Sequence, residues 1–114
     1  LKNAVREAPN DPLIRLELGR VYLKTGAYPA AAKELRKALD LGAPRASTLL
    51  PLVDALGRTG QHQAVVDLLA GESNLSPRLF NLRASADLAL GNVDNARRDF
   101  TSALALDPKQ EAAL

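Results

Sequence analysis

Three glycines constrain this chain more than any other feature. Gly26, Gly60 and Gly91 stand 34 and 31 residues apart, and each lies between two stretches of helical apolar periodicity. Glycine takes the left-handed backbone that ends a helix at little cost. A chain punctuated in this way is confined to short helices joined in pairs. In the first pair, Ile14, Leu18, Val21 and Tyr22 mark one face of a helix from Pro12 to Lys24. Asp11 is a suitable N-cap, and Pro12 fits the first helical position, where its missing N–H costs nothing. Ala31, Ala32, Leu35, Ala38 and Leu39 form the buried stripe of the partner helix, which Gly42 ends. The pattern then returns. Ala46 to Thr59 form a helix stopped by Gly60, and Gln61 to Ala70 form a short partner. Ser76-Pro77 repeats the cap-plus-proline start of a helix reaching Leu90, and after Gly91 a last full helix runs from Val93 to Leu106, ended by Asp107-Pro108. Leu and Ala dominate while aromatics are only 4%, a mixture that favours helices over strands.

A helix-turn-helix unit of about 34 residues resembles the tetratricopeptide repeat. The residues from 12 to 45 carry the resemblance best: Leu18-Gly19 followed by Tyr22, Gly26 at the turn, then Tyr28, Ala31, Leu35 and Ala38. Arg15 replaces the motif's early Trp, and the closing Pro is displaced to Pro44. Residues 77–110 match through Phe80, Ala84, Gly91, Ala96, Phe100, Ala103 and Pro108. Residues 46–76 are degenerate and three residues short, keeping Leu49, Leu52 and Gly60 but carrying Val53 and Val65 where small residues are usual. Pro51 lies inside the first helix of that stretch and is expected to bend it. The resemblance implies an all-α, right-handed α-solenoid of antiparallel helix pairs, with about three repeats (12–45, 46–76 and 77–110). Residues 1–11 match the end of a preceding repeat and 111–114 the start of a further one. The whole span 1–114 is thus expected to be one fragment of a solenoid that continues in both directions. Small residues such as Gly19, Ala84, Ala31 and Ala96 are expected where paired helices approach closely, with Tyr22, Leu35 and Phe100 filling the wider gaps.

A narrower resemblance runs through LKNAVREAPNDPLIRLELGRVYLKTGAYPAAAKELRKALDLGA and LLPLVDALGRTGQHQAVVDLL. These stretches look like the early repeats of tetratricopeptide-repeat lipoproteins that accompany bacterial exosortase (PEP-CTERM) sorting systems, with the Leu-Pro-Leu helix at Leu50-Pro51-Leu52. That likeness implies a lipid-anchored protein of a Gram-negative envelope, working in exopolysaccharide and surface-protein export, with its anchoring cysteine upstream. The compartment is the envelope or periplasm if this holds and the cytoplasm otherwise.

The chemistry of the chain points away from catalysis. There is no Cys, so thiolate metal sites and cysteine nucleophiles are excluded within these residues. The one histidine, His62, stands at the start of a helix in the slot that Tyr28 holds earlier, a packing or capping position. One His without Cys makes no usual zinc site. The serines lie in no nucleophile-elbow sequence, the glycines form no phosphate-cradling loop, and the carboxylates, Asp54, Asp87, Asp94 and Asp99 among them, show no acid–base pair. No cofactor or metal is expected. Fifteen basic side chains face 13 acidic ones, interleaved as in Lys33, Glu34, Arg36, Lys37 and Asp40. A net charge of +2 so distributed does not mark a nucleic-acid binder. No apolar run reaches the length of about 20 residues that spans a bilayer, so this segment is expected to make no membrane contact.

Binding is the better expectation. The solenoid resemblance implies that first-type helices line a concave groove. Their groove-facing positions are Leu13, Leu16, Arg20 and Leu23, then Ser47, Leu50, Asp54 and Arg58, then Arg78, Asn81, Ser85 and Leu88. The spacing is near i, i+3, i+7, on a face apart from the packing stripe. Leu13, Leu16 and Leu23 are expected to form an apolar patch, either a site for an extended or helical segment of a protein partner or a face that a preceding repeat covers. Leu16 and Leu50 stand where the chaperone-type carboxylate clamp needs Lys or Asn, and Asp54 has the wrong charge, so no such clamp is expected. The rival reading is a structural spacer that binds nothing here. The oligomeric state is left open by the sequence.

Overall fold

Asp11 has an extended backbone, and its carboxylate accepts hydrogen bonds from the N–H groups of Leu13 and Ile14, at 2.9 and 3.3 Å. Two of the donors that a helix start leaves orphaned are thereby satisfied, and α1 (Pro12–Lys24) begins there. The structure, a computed structural model, describes residues 10–107. The expected partial repeats, apart from Asn10 and Asp11, and the terminal Pro108 lie outside those residues. Five further helices follow: α2 (Tyr28–Asp40), α3 (Arg45–Arg58), α4 (His62–Leu68), α5 (Pro77–Ala89) and α6 (Val93–Leu106). The three spacing glycines adopt φ of +82°, +75° and +85°, as the reading of the turns requires. No strand occurs among the described residues. The fold is all-α and built of helix pairs of the α-solenoid kind.

The helices group into two compact units, one ending at Thr59 and the other starting at Gly60. In the first, α2 packs on both α1 and α3. The three-residue turn between α1 and α2 brings them back as antiparallel neighbours. Gly19 shows why the first pair needs a small residue. A Cβ there would stand 2.5 Å from Leu35 Cγ and 2.6 Å from Leu35 Cδ2, so the backbone of α1 rides directly on that side chain. Leu35, Ala31 and Ala38 are fully buried beneath it. In the second unit α5 packs on α4 and α6, with Phe80, Ala84, Ala96 and Ala103 in the core. Ser76 caps α5 by accepting from the Leu79 N–H at 3.3 Å.

Two helices differ from their expected spans. α3 begins one residue earlier, at Arg45, and continues through Pro51. α4 has only seven residues, ending at Leu68 rather than Ala70. The reason is Gly71, a left-handed stop (φ +76°) that apolar periodicity does not reveal, with Ala70 and Glu72 donating tight turn bonds to Asp67 and Leu69. Val53 and Val65, the two bulky replacements, are both buried.

The small residues at the pairings give a direct stability test. Ala31→Leu and Ala96→Leu place a larger side chain at sites that are 0% and 2% exposed. Each is expected to cost ~1–3 kcal/mol by overpacking, read as a lowered midpoint in thermal melts. Unchanged midpoints in both variants would mean that the helix crossings do not pass through these residues.

Candidate binding surfaces and a polar pocket

The twelve residues read from sequence fall on α1, α3 and α5, but they are not equally available. On α1, Leu13 is 57% exposed and Arg20 is exposed, while Leu23 is half-buried. Leu16 is only 4% exposed and belongs to the core. This corrects the expected Leu13–Leu16–Leu23 patch. α1 has neighbours on two sides, α2 and α3, so the arc open to solvent is narrower than a stripe at i, i+3, i+7 assumes.

On α3, Ser47 is exposed, Leu50 is 36% exposed and Asp54 is half-buried. Arg58 is exposed but engaged. Its Nε donates to Asp54 Oδ1 at 3.0 Å, one terminal nitrogen donates to the Tyr28 hydroxyl at 3.1 Å, and its guanidinium lies 5.0 Å from the Tyr28 ring centroid. The hydrogen bond and charge of Asp54 raise the already high pKa of Arg58. Asp54 and Arg58 therefore act as one cation–carboxylate pair on an aromatic ring rather than as two separate groove charges. On α5, Arg78, Ser85 and Leu88 are exposed or partly so, Leu88 by 53%, and Asn81 is half-buried.

The second unit holds a feature that the sequence reading missed. Arg83 of α5 is mostly buried and makes four hydrogen bonds. It donates to both carboxylate oxygens of Asp99 on α6, at 2.6 and 2.9 Å. It also donates to the backbone carbonyls of Leu69 and Glu72, both at 2.8 Å, just past the end of α4. One guanidinium thus ties α5 and α6 to the turn that follows α4, where it adds a donor to two backbone carbonyls. The Asp99 hydrogen bonds raise the Arg83 pKa above its ordinary value, against the desolvation that lowers it. Arg15 and Glu34 form a related part-buried pair between α1 and α2 at 2.7 Å.

Beside Arg83 opens a pocket of about 390 Å³. Its floor includes Asp87, which is 3% exposed. α4 and α6 do not pack on each other, so the short α4 leaves open space that a full-length second helix would narrow. Among the described residues no group of three His, Cys, Asp or Glu side chains is placed to hold a metal ion, and no helix is long and apolar enough to cross a membrane. His62 stands half-buried as the first residue of α4.

Paired helices with small residues at their closest approach and left-handed glycine turns define a helical-repeat protein. Tetratricopeptide repeats are matched over residues 1–50 and again over residues 77–110, and the chain carries such repeats over these two segments. It is also 38% identical, over 64 residues, to the human protein named Tetratricopeptide repeat protein 34. That similarity covers 56% of this chain and 11% of the relative, so the chain spans about a tenth of the relative's length. Repeats of this kind generally mediate protein–protein interaction and typically form non-catalytic scaffolds.

Proposed function

We propose that this chain is a non-catalytic interaction scaffold that binds a peptide or protein segment through the outer faces of its first-type helices. The observation that carries this reading is the exposure of large apolar side chains on those faces. Leu13 and Leu50 in the first unit and Leu88 in the second stand in solvent at 57%, 36% and 53%. Burying a wholly exposed leucine is worth roughly 1.5–3 kcal/mol, and each of these would gain the fraction that its remaining exposure represents. Around them lie Arg20, Leu23, Ser47, the Asp54–Arg58 pair, Arg78, Asn81 and Ser85, mixed polar groups of the sort that rim an apolar anchor. The repeat boundaries at 12–45, 46–76 and 77–110 within one solenoid fragment belong to this proposal, as does the absence of a carboxylate clamp. So does the finer setting, exopolysaccharide and surface-protein export in a bacterial envelope, which rests on the lipoprotein-like stretches of sequence.

The test is selection of random displayed peptides on the chain, with Leu13→Glu/Leu50→Glu as the comparison. Both side chains are exposed, so the double variant is expected to keep its helical circular dichroism and its melting point. Selected peptides are expected to lose about tenfold or more in affinity on the variant, the loss of apolar anchors. Their binding should change little with salt, since apolar contacts are not screened. Peptides that bind the variant equally well would place recognition elsewhere, and failure to select any would favour the spacer reading.

A further inference from the structure

The pocket beside Arg83 is lined by a carboxylate, Asp87, that neither of its arginines hydrogen-bonds. Five charged side chains line it: Arg83 and Arg98 against Glu72, Asp87 and Asp99. Arg83 spends its bidentate fork on Asp99 and two more N–H groups on backbone carbonyls. Arg98 is exposed and donates to Asn95 Oδ1 at 2.8 Å. Asp87 therefore has no cation hydrogen-bonded to it, although the charges of Arg83 and Asp87 act on each other across the pocket. Asp87 is 3% exposed, and the one donor to its carboxylate among the described residues is Asn92 Nδ2, at 3.2 Å from Oδ1. Its Oδ2 accepts no hydrogen bond from the described residues and is not sealed off from solvent, so it is open to a donor that enters the pocket.

We propose that this pocket is a receptor for a basic side chain, lysine or arginine, of a protein partner, with Asp87 as the counter-ion. The walls match such a side chain along its length. Val66, Ala70 and the Phe80 ring supply apolar surface for the methylene stem, and Asp87 receives the charged end. Ser102 also lines the pocket, its hydroxyl donating to the Arg98 carbonyl at 3.1 Å. An anion would meet the Asp87 carboxylate, and no three-ligand set is present among the described residues for a metal ion. A volume of about 390 Å³ lies at the lower end of the usual range for ligand pockets, roughly 300–1,000 Å³, and suits one side chain rather than a folded element. This inference rests on reading the chain as a protein-interaction scaffold, but not on the leucine faces of α1 and α3.

The test is amide-resolved NMR titration of the full 114-residue chain with capped single amino acids: N-acetyl-arginine methylamide, N-acetyl-lysine methylamide and the neutral N-acetyl-norleucine methylamide. A fourth arm uses 1,4-diaminobutane. The basic compounds are expected to shift the amides of Val66, Ala70, Gly71, Asn92 and Asn95, with dissociation constants on the order of millimolar for so small a ligand. Norleucine is expected to shift them little. Asp87→Asn keeps the size of the side chain and is expected to weaken the basic ligands by about tenfold or more, the scale of one charge-assisted hydrogen bond. Arg98→Ala removes a competing positive charge from the rim and is expected to tighten them. Equal shifts with norleucine, unchanged binding in a folded Asp87→Asn variant, or no shift at the pocket would each overturn the proposal. Tighter binding of the diamine than of capped lysine would overturn the protein side chain as the occupant. Because the readout is local to the pocket, it stands or falls separately from the peptide selection on α1 and α3.

Discussion

Arg83→Met is expected to lower the stability of the chain by about 3–5 kcal/mol, the usual cost of removing one partner from a buried ion pair. The side chain is 14% exposed and that of Asp99 is 5% exposed, so solvent screens the pair little. Methionine keeps most of the volume and the contact with Phe80 (the guanidinium now stands 5.7 Å from that ring). It loses every donor. Asp99 is left as an unpaired buried carboxylate, and the Leu69 and Glu72 carbonyls lose a shared N–H source. Arg83→Lys is expected to fall between the two. It keeps the charge but cannot reach two carboxylate oxygens and two carbonyls from one nitrogen. The double variant Arg83→Met/Asp99→Leu is expected to be more stable than Arg83→Met alone, since the Asp99 carboxylate is no longer left buried without its partner. Urea melts of these proteins together with Asp99→Leu alone measure the coupling. If Arg83→Met melts as the parent does, the Arg83 tie is not a source of stability.

The helix pairs are legible in the sequence because their determinants are local. Pro12 and Pro77 follow side-chain caps, and left-handed glycines follow the apolar stripes, so α1, α2, α5 and α6 fall within a residue of their expected ends. The ion pairs are less visible, although a trace of them is present. Glu34 lies on the stripe of Ala31 and Ala38, and Asp99 lies on the stripe of Ala96 and Ala103. Each acid therefore points inward by helical period, where a charge must find a partner. The partner's position cannot be read in the same way. Arg15 stands four residues before Gly19, whereas Arg83 directly precedes Ala84, so two different positions on the first helix serve the same acidic slot. The pocket depends on a gap rather than on a motif. It follows from where α4 stops, and a single glycine, Gly71, in a run without periodicity decides that. The leucine faces fail in part for a related reason. Which leucine of a stripe is covered depends on how many helices flank α1, a property of packing that residue spacing does not contain.

The glycines within helices yield a prediction with opposite signs at two sites. Gly57 lies inside α3, and a Cβ built there meets nothing within 4 Å. Gly57→Ala is expected to stabilise by ~0.5–1 kcal/mol, because alanine loses less backbone freedom in a helix. Gly19→Ala gains the same propensity term, but its Cβ meets Leu35 Cγ at 2.5 Å and the Leu35 backbone nitrogen at 3.3 Å. Leu35 is 0% exposed and has nowhere to move, so overpacking of about 1–3 kcal/mol outweighs the gain and Gly19→Ala is expected to destabilise. Leu35→Ala removes the obstruction and costs about 2–5 kcal/mol through the cavity it leaves. In that background the methyl group introduced by Gly19→Ala has room and fills part of the void, so the second substitution should reverse sign and recover some stability. Residues in direct contact are expected to show such non-additivity. Thermal melts of the single and double variants, with Gly57→Ala beside them, measure it. If Gly19→Ala is as benign as Gly57→Ala, α1 and α2 do not meet at Gly19 and Leu35, and the close approach that sets the first helix pair lies elsewhere.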